Sequence, residues 1–244
     1  MSYKVMQIEV SNLCSLACAY CPHPTQKRPK GNMTFETFQA CIEVVKRSDN
    51  PELDGRKFVW LNHFGEPLLN PQLPEFVAYA VGQQVEVSFS TNGVDEDGDL
   101  FSREMWSELR DAGLRHVMIS AHAKSLWNMK RHIGKVVPIG ATFQPKRRNL
   151  HDWAGQVDIS RYRPDYVRKI PDAPCDYQLH NMFAVRWDGV LTACCYDIEG
   201  RADGLSVRDV LEHGFAFERI SLCDSCELGR GDVAWIERPL HIGV

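Results

Sequence analysis

The chain has 244 residues, 44% hydrophobic and 25% charged, the make-up of an ordinary folded protein and not of collagen, a coiled coil or a wholly disordered chain. Lysine plus arginine number 28 against 32 acidic residues, a net charge of −4, which disfavours a general nucleic-acid binder. No apolar run approaches the roughly 20 residues of a membrane span, and Met1-Ser2-Tyr3-Lys4 has no signal-peptide anatomy, so a cytoplasmic location is expected.

Residues 5–10 (VMQIEV) read as a partly alternating strand. A cysteine-rich loop follows, then a basic Pro/Gly stretch from 26 to 31 that must be loop. Thr34 is the N-cap of a helix in which Phe35, Phe38, Cys41, Ile42 and Val45 make one apolar stripe. Cys41 on that stripe reads as a small core hydrophobe. Residues 58–61 form the next strand, about 72–80 a helix, 85–89 a strand, and 102–112 a helix stopped by Gly113. Residues 116–121 and 136–143 are further strands. This alternation predicts parallel βαβ units and an α/β fold, with sites at the C-terminal ends of strands. From about Lys146 the rhythm stops, and Pro145, Pro164, Pro171 and Pro174 mark a poorly periodic passage. A short strand pair at 182–187 and 190–193 and a helix around 207–213 follow.

Nine cysteines, an odd number without an export signal, argue against a disulfide framework. Eight of them fall into two clusters, with none between Cys41 and Cys175. Such clusters usually bind metal. Cys14, Cys18 and Cys21 are spaced Cys-x3-Cys-x2-Cys. Three thiolates on a short loop can hold three corners of a 4Fe–4S cubane, which normally takes four, and leave one iron open. A zinc ion with a borrowed fourth ligand such as His23 is the alternative.

The loop follows the first strand and carries an aromatic residue, Tyr20, before its third cysteine. In this it resembles the radical S-adenosylmethionine (radical SAM) superfamily. His63-Phe64-Gly65-Glu66-Pro67-Leu68-Leu69, at the end of the second strand, resembles the family's Gly-Gly-Glu-Pro element, which holds the SAM amino group; Phe64 replaces the first glycine. Ser90-Thr91-Asn92-Gly93, ending the third strand, is similar to the family's Thr-Asn-Gly, although alone it is only a turn. Together, in order and at strand ends, the three elements identify the chain as a member of the superfamily. The resemblance implies a partial TIM-like (β/α) barrel over residues 1–150. It implies a 4Fe–4S cluster on Cys14, Cys18 and Cys21, with SAM held by Tyr20, Gly65, Glu66, Pro67, Ser90, Asn92 and His122. It also implies one-electron cleavage of SAM to a 5′-deoxyadenosyl radical that takes a substrate hydrogen, the protein supplying aim and excluding water.

Five cysteines remain. Cys223 and Cys226 form a Cys-x2-Cys, Cys194 and Cys195 end a turn and strand, and Cys175 lies about 20 residues upstream. Two more fully ligated clusters would need about eight cysteines, so five permit one. This resembles the twitch domain, the shortened relative of the SPASM domain, whose Gly-x4-Cys element matches Gly189 to Cys194. The resemblance implies a small α+β twitch-like domain over 151–244, its auxiliary 4Fe–4S cluster on Cys175, Cys194, Cys223 and Cys226. Cys195 is left over as an alternative ligand, a hydrogen-atom donor or a packed thiol. A four-cysteine zinc site has the same spacing.

His122, after the strand 116–121, is a candidate SAM, substrate or catalytic contact beside Cys195, or a half-buried hydrogen-bonded histidine. Gln144 and Lys146-Arg147-Arg148 would meet a polar or anionic substrate, or form a solvated loop. Lys27, Arg28 and Lys30 read as wet surface or as a landing site for an acidic electron donor such as flavodoxin or ferredoxin. Trp153 and Trp187 would pack on the auxiliary cluster or in the core. In size and motif order the chain resembles the radical SAM dehydrogenases of aminoglycoside biosynthesis. That implies oxidation of a small polar intermediate, the auxiliary cluster accepting an electron. The rival is a peptide maturase that forms a crosslink or epimerises a residue; a start directly at the first barrel strand, with no leader-binding domain, argues against it. A non-catalytic zinc or iron–sulfur module leaves the Gly-Glu-Pro element without a role.

Overall fold

Strand and helix alternate along the first half of the computed structural model, which describes residues 2–97, 99–121, 140–145, 150–200 and 204–228. The strands are β1 (Lys4–Ile8), β2 (Glu52–Leu53), β3 (Arg56–Trp60), β4 (Val85–Ser88), β5 (Ser90–Thr91), β6 (His116–Ala121), β7 (Gly140–Pro145), β8 (Met182–Val185) and β9 (Leu191–Thr192). The helices are α1 (Phe35–Arg47), α2 (Leu73–Gly82), α3 (Arg103–Asp111), a single turn α4 (Asp176–Leu179) and α5 (Val207–His213). Of the strand expected at 136–143, residues 136–139 lie outside the described residues.

β1, β3 and β4 pair in parallel, with Gln7 opposite Trp60 and Lys57 opposite Val85. β4 and β5 are two halves of one strand on either side of Phe89. The first half pairs with β3; the second pairs in parallel with β6, which pairs in parallel with β7. Phe89 joins the halves, its carbonyl accepting from Met118 N at 2.9 Å. The result is an arc of parallel strands that does not close among the described residues, a partial barrel. β2 flanks β3 antiparallel through the turn at Asp54-Gly55.

The later residues do not stand apart from this sheet. β8 pairs in parallel with β1 on the side opposite β3, and β9 returns antiparallel to β8. The sequence led us to expect only the hairpin.

Period-2 alternation divides the core, except in β1, where a register shift between Val5 and Gln7 returns Ile8 to the face of Val5. Val5, Ile8, Val59 and Leu61 face one cluster, with Phe38, Cys41, Ile42 and Val45 of α1 and Phe76 and Val77 of α2. Met6, Phe58, Trp60 and Met118 face the other, where they meet Cys175, Tyr177, Cys194, Cys195, Tyr196 and Leu222. Helices therefore cover one face of the arc, and the cysteine-bearing C-terminal segment covers the other. The helix ends follow from local chemistry: the Thr34, Ser102 and Ser206 side chains each accept from a first-turn backbone N–H, and Ser206 and Asp209 complete a capping box. Cys41 is fully buried on the α1 stripe, and burial pushes its thiol pKa up. No helix among the described residues is long and apolar enough to cross a membrane.

Candidate functional site

Ser11, Asn12 and Leu13 lead from β1 into the cysteine loop, and the Gly-Glu-Pro loop docks on them. Glu66 N donates to Leu13 O at 2.6 Å. Glu66 itself is buried and both its oxygens are used. Oε1 accepts from Thr91 Oγ1 at 2.6 Å and Leu68 N at 3.3 Å; Oε2 accepts from Asn92 N at 2.7 Å. Burial pushes its carboxyl up to about 7, against the pull of these hydrogen bonds. Glu66 thus ties the loop after β3 to the end of β5. Pro67 is buried beside it and opens the short 3-10 turn Pro67–Leu69.

Asn92 extends the tie to the cysteines. Its Nδ2 lies 3.8 Å from Cys14 Sγ and 3.1 Å from Ser15 Oγ. Ser90 Oγ pairs with Ser120 Oγ at 2.8 Å on the next strand. Cys14, Cys18 and Cys21 are partly exposed on one loop. Burial holds the Cys14 thiol up at about 11, and the nearby Glu66, Cys18 and Cys21 add to this. Tyr20 is raised too, first by burial and then by Cys18. Its carbonyl accepts the Trp153 indole N–H at 3.0 Å, and its ring meets Tyr162 edge-on at 5.9 Å. His23 is buried, with Nε2 2.8 Å from Asn12 O.

The late cysteines gather differently. Cys175, Cys194, Cys223 and Cys226 line one cavity with Ile170, Gln178, Phe217 and Arg219. Two of the sulfurs accept backbone N–H groups: Cys194 from Tyr196 and Cys226 from Leu228, both at 3.4 Å. Cys195 is not among the lining residues. Its thiol pairs with the Tyr177 hydroxyl, which lies 3.5 Å from Gln7 Oε1. The four cavity thiols are an all-sulfur donor set of the kind iron–sulfur clusters take, and N–H···S bonds are among the contacts that tune such clusters. Among the described residues no three His, Cys, Asp or Glu side chains are drawn to the spacing of a single metal ion.

One expectation needs correction. Arg28 is not wet surface: it is buried and forked onto Glu9, with Nη1 2.7 Å from Oε2 and Nη2 2.5 Å from Oε1. Lys27 and Lys30 remain exposed. Trp187 takes the second of its two expected places: it packs in the helix-side core, covers Gly31 and donates to Pro29 O at 3.2 Å. Trp153 packs on the side of the late cysteines, with Tyr196 at 5.0 Å and Phe64 at 5.5 Å between ring centres. His122 and Lys146-Arg147-Arg148 lie outside the described residues, as does the side chain of Gln144. Glu9 and His63 were missed as site residues. The available signal was a carboxylate set directly after a strand rich in apolar residues.

Residues 8–125 match the family model of the radical SAM superfamily. The chain carries a radical SAM domain. The superfamily implies one 4Fe–4S cluster with SAM, and Cys14, Cys18 and Cys21 on their common loop fit that cluster. The mycofactocin maturase MftC of Mycobacterium ulcerans (strain Agy99) is 32% identical over 104 residues, 42% of this chain and 26% of that protein. The S-adenosyl-L-methionine-dependent 2-deoxy-scyllo-inosamine dehydrogenase of Niallia circulans is 25% identical over 123 residues, 50% of this chain and 46% of that protein. The chain thus spans from a quarter to just under half of these relatives. The crystal structure of BtrN in complex with AdoMet and 2-DOIA superposes with a TM-score of 0.65, over 92% of this chain and 86% of that one, at 17% identity. That likeness is one of fold, and it extends beyond the radical SAM domain into the C-terminal segment.

Proposed function

We propose that the chain is a radical SAM oxidoreductase that oxidises a small polar biosynthetic intermediate, with an auxiliary 4Fe–4S cluster on Cys175, Cys194, Cys223 and Cys226. The observation that carries this reading is that those four cysteines line one and the same cavity. When bound, the SAM-side cluster with SAM supplies a 5′-deoxyadenosyl radical, and the auxiliary cluster supplies an acceptor for the substrate's second electron.

This chain's own residues place and shield those groups. Asn92 and Glu66 hold the strand ends against the Cys14 loop. Gly65 and Pro67 shape the turn beside it, and Tyr20, Ser90 and His122 complete the proposed SAM site. Trp153 and Tyr162 brace the loop at Tyr20, one by a hydrogen bond and one by a ring contact. Exposed Lys27 and Lys30 beside the same loop suit an acidic donor such as flavodoxin or ferredoxin. A cytoplasmic location fits this chemistry. Likeness to the dehydrogenase in motif order and to BtrN in fold favours a small-molecule substrate. The higher identity to mycofactocin maturase keeps a second reading: a peptide maturase that crosslinks or epimerises.

The test is anaerobic SAM turnover by the reconstituted protein, with aminocyclitols or short peptides as substrates. We expect 5′-deoxyadenosine from the wild type, none from Cys14→Ala/Cys18→Ala/Cys21→Ala, and SAM cleavage without oxidised product from Cys175→Ala/Cys223→Ala. Oxidised product at the wild-type rate from the last variant would overturn the auxiliary role. Turnover with peptides alone would move the assignment to the second reading.

A further inference from the structure

Glu9, directly after β1, carries a charge that never reaches water. Its side chain is fully buried, and that of Arg28 is 3% exposed. Each Glu9 oxygen accepts from Arg28 and from one backbone N–H: Phe64 N at 3.1 Å from Oε1 and Trp187 N at 3.3 Å from Oε2. Arg28 also donates Nε to Ile198 O at 2.6 Å. The backbone N–H groups of Lys27 and Arg28 go to the Glu199 carboxylate at 3.0 and 3.2 Å. Next to Phe64, His63 Nε2 donates to Cys195 O at 3.2 Å.

One ion pair therefore touches three segments. The first follows Cys21. The second carries Gly65 and Glu66. The third, from Trp187 to Glu199, carries Cys194 and Cys195. Desolvation offsets most of what a buried pair gains in attraction, so such a pair is a poor source of stability. Its fork, however, accepts a carboxylate in one geometry, where apolar contacts accept many.

We propose that Glu9 and Arg28 are positioning residues that set the Cys194 segment against the Cys14–Cys21 and Gly65–Glu66 loops, and so fix the separation of the two cysteine sites. The proposal rests on the two-cluster reading above. It gives neither residue contact with substrate or SAM.

The test uses the anaerobically reconstituted protein. Glu9→Gln/Arg28→Met replaces the pair with neutral side chains of similar length and leaves no unpaired buried charge. Arg28→Lys keeps the charge without the fork, and reads the same quantities if the double variant does not fold. Three quantities are measured: iron per chain, amide hydrogen exchange at residues 62–66 and 186–199, and the magnetic interaction between the two reduced clusters by electron paramagnetic resonance. We expect about eight irons per chain in wild type and variants. In the variants exchange should rise about tenfold in both segments together, and the magnetic interaction should broaden into a distribution that a fold-stabilising role alone would not produce. With eight irons retained, unchanged exchange and a sharp interaction would overturn the proposal, as would a rise in one segment only. About four irons in the wild type would instead overturn the two-cluster reading beneath it.

Discussion

Gly65 has φ +144°, and a Cβ there would stand 2.2 Å from Ser11 O and 2.7 Å from Asn12 Cα. The glycine of the Gly-Glu-Pro element is thus needed for its approach to the cysteine loop's own backbone. Gly65→Ala should cost about 3–5 kcal/mol, since strain and clash add and backbone cannot swing aside; urea unfolding of the apoprotein measures it. His63 gives a pH signature. Burial and the Arg28 charge hold its imidazole down at about 3, so it is neutral in the folded chain, whereas in the unfolded chain it takes a proton near 6.5. The unfolded state therefore binds the extra proton, and stability present above pH 6.5 is lost as pH falls toward 3. Relative to His63→Gln, wild-type apoprotein should lose a few kcal/mol over that window and run parallel above it; a constant difference at all pH values would refute the assignment. For the cysteine pair, Cys194→Ala should remove the auxiliary iron and Cys195→Ala should keep it, because Cys194 lines the cavity and the Cys195 thiol faces Tyr177. The cysteine groups were legible because their spacing is written in the sequence. Arg28 was misread because a charge run carries no sign of a partner 19 residues away.

At the scale of elements, the βαβ rhythm and its caps were readable: α3 stops at Asp111 before Gly113, and α5 starts after Ser206. Local period and capping chemistry suffice for that. The parallel pairing of β8 with β1 was not readable, since a buried strand's pattern is silent about its neighbour. That pairing matters for the site, because Glu9 N donates to Val185 O at 2.8 Å and the cysteine-bearing hairpin is thereby built into the barrel sheet. Phe183, fully buried between Tyr3 and Phe215, anchors it. Phe183→Ala should cost about 3–5 kcal/mol, and the apoprotein should unfold in one transition by both circular dichroism and tryptophan fluorescence. Two separated transitions would show that the hairpin folds apart from the sheet.

For the whole molecule, the sheet separates two tasks. One face packs on helices; the other meets the late cysteines through Met6, Phe58, Trp60 and Met118. Phe64, Trp153 and Tyr196 continue the contact from the Gly-Glu-Pro loop to the Cys194 segment. Both cysteine groups are proposed to hold clusters. Iron per chain after anaerobic reconstitution tests this most directly, on the wild type, on Cys14→Ala/Cys18→Ala/Cys21→Ala and on Cys175→Ala/Cys223→Ala. We expect about eight irons in the wild type and about four in each variant. About four in the wild type and none in the first variant would contradict this, and would leave the four-thiol cavity without a cluster.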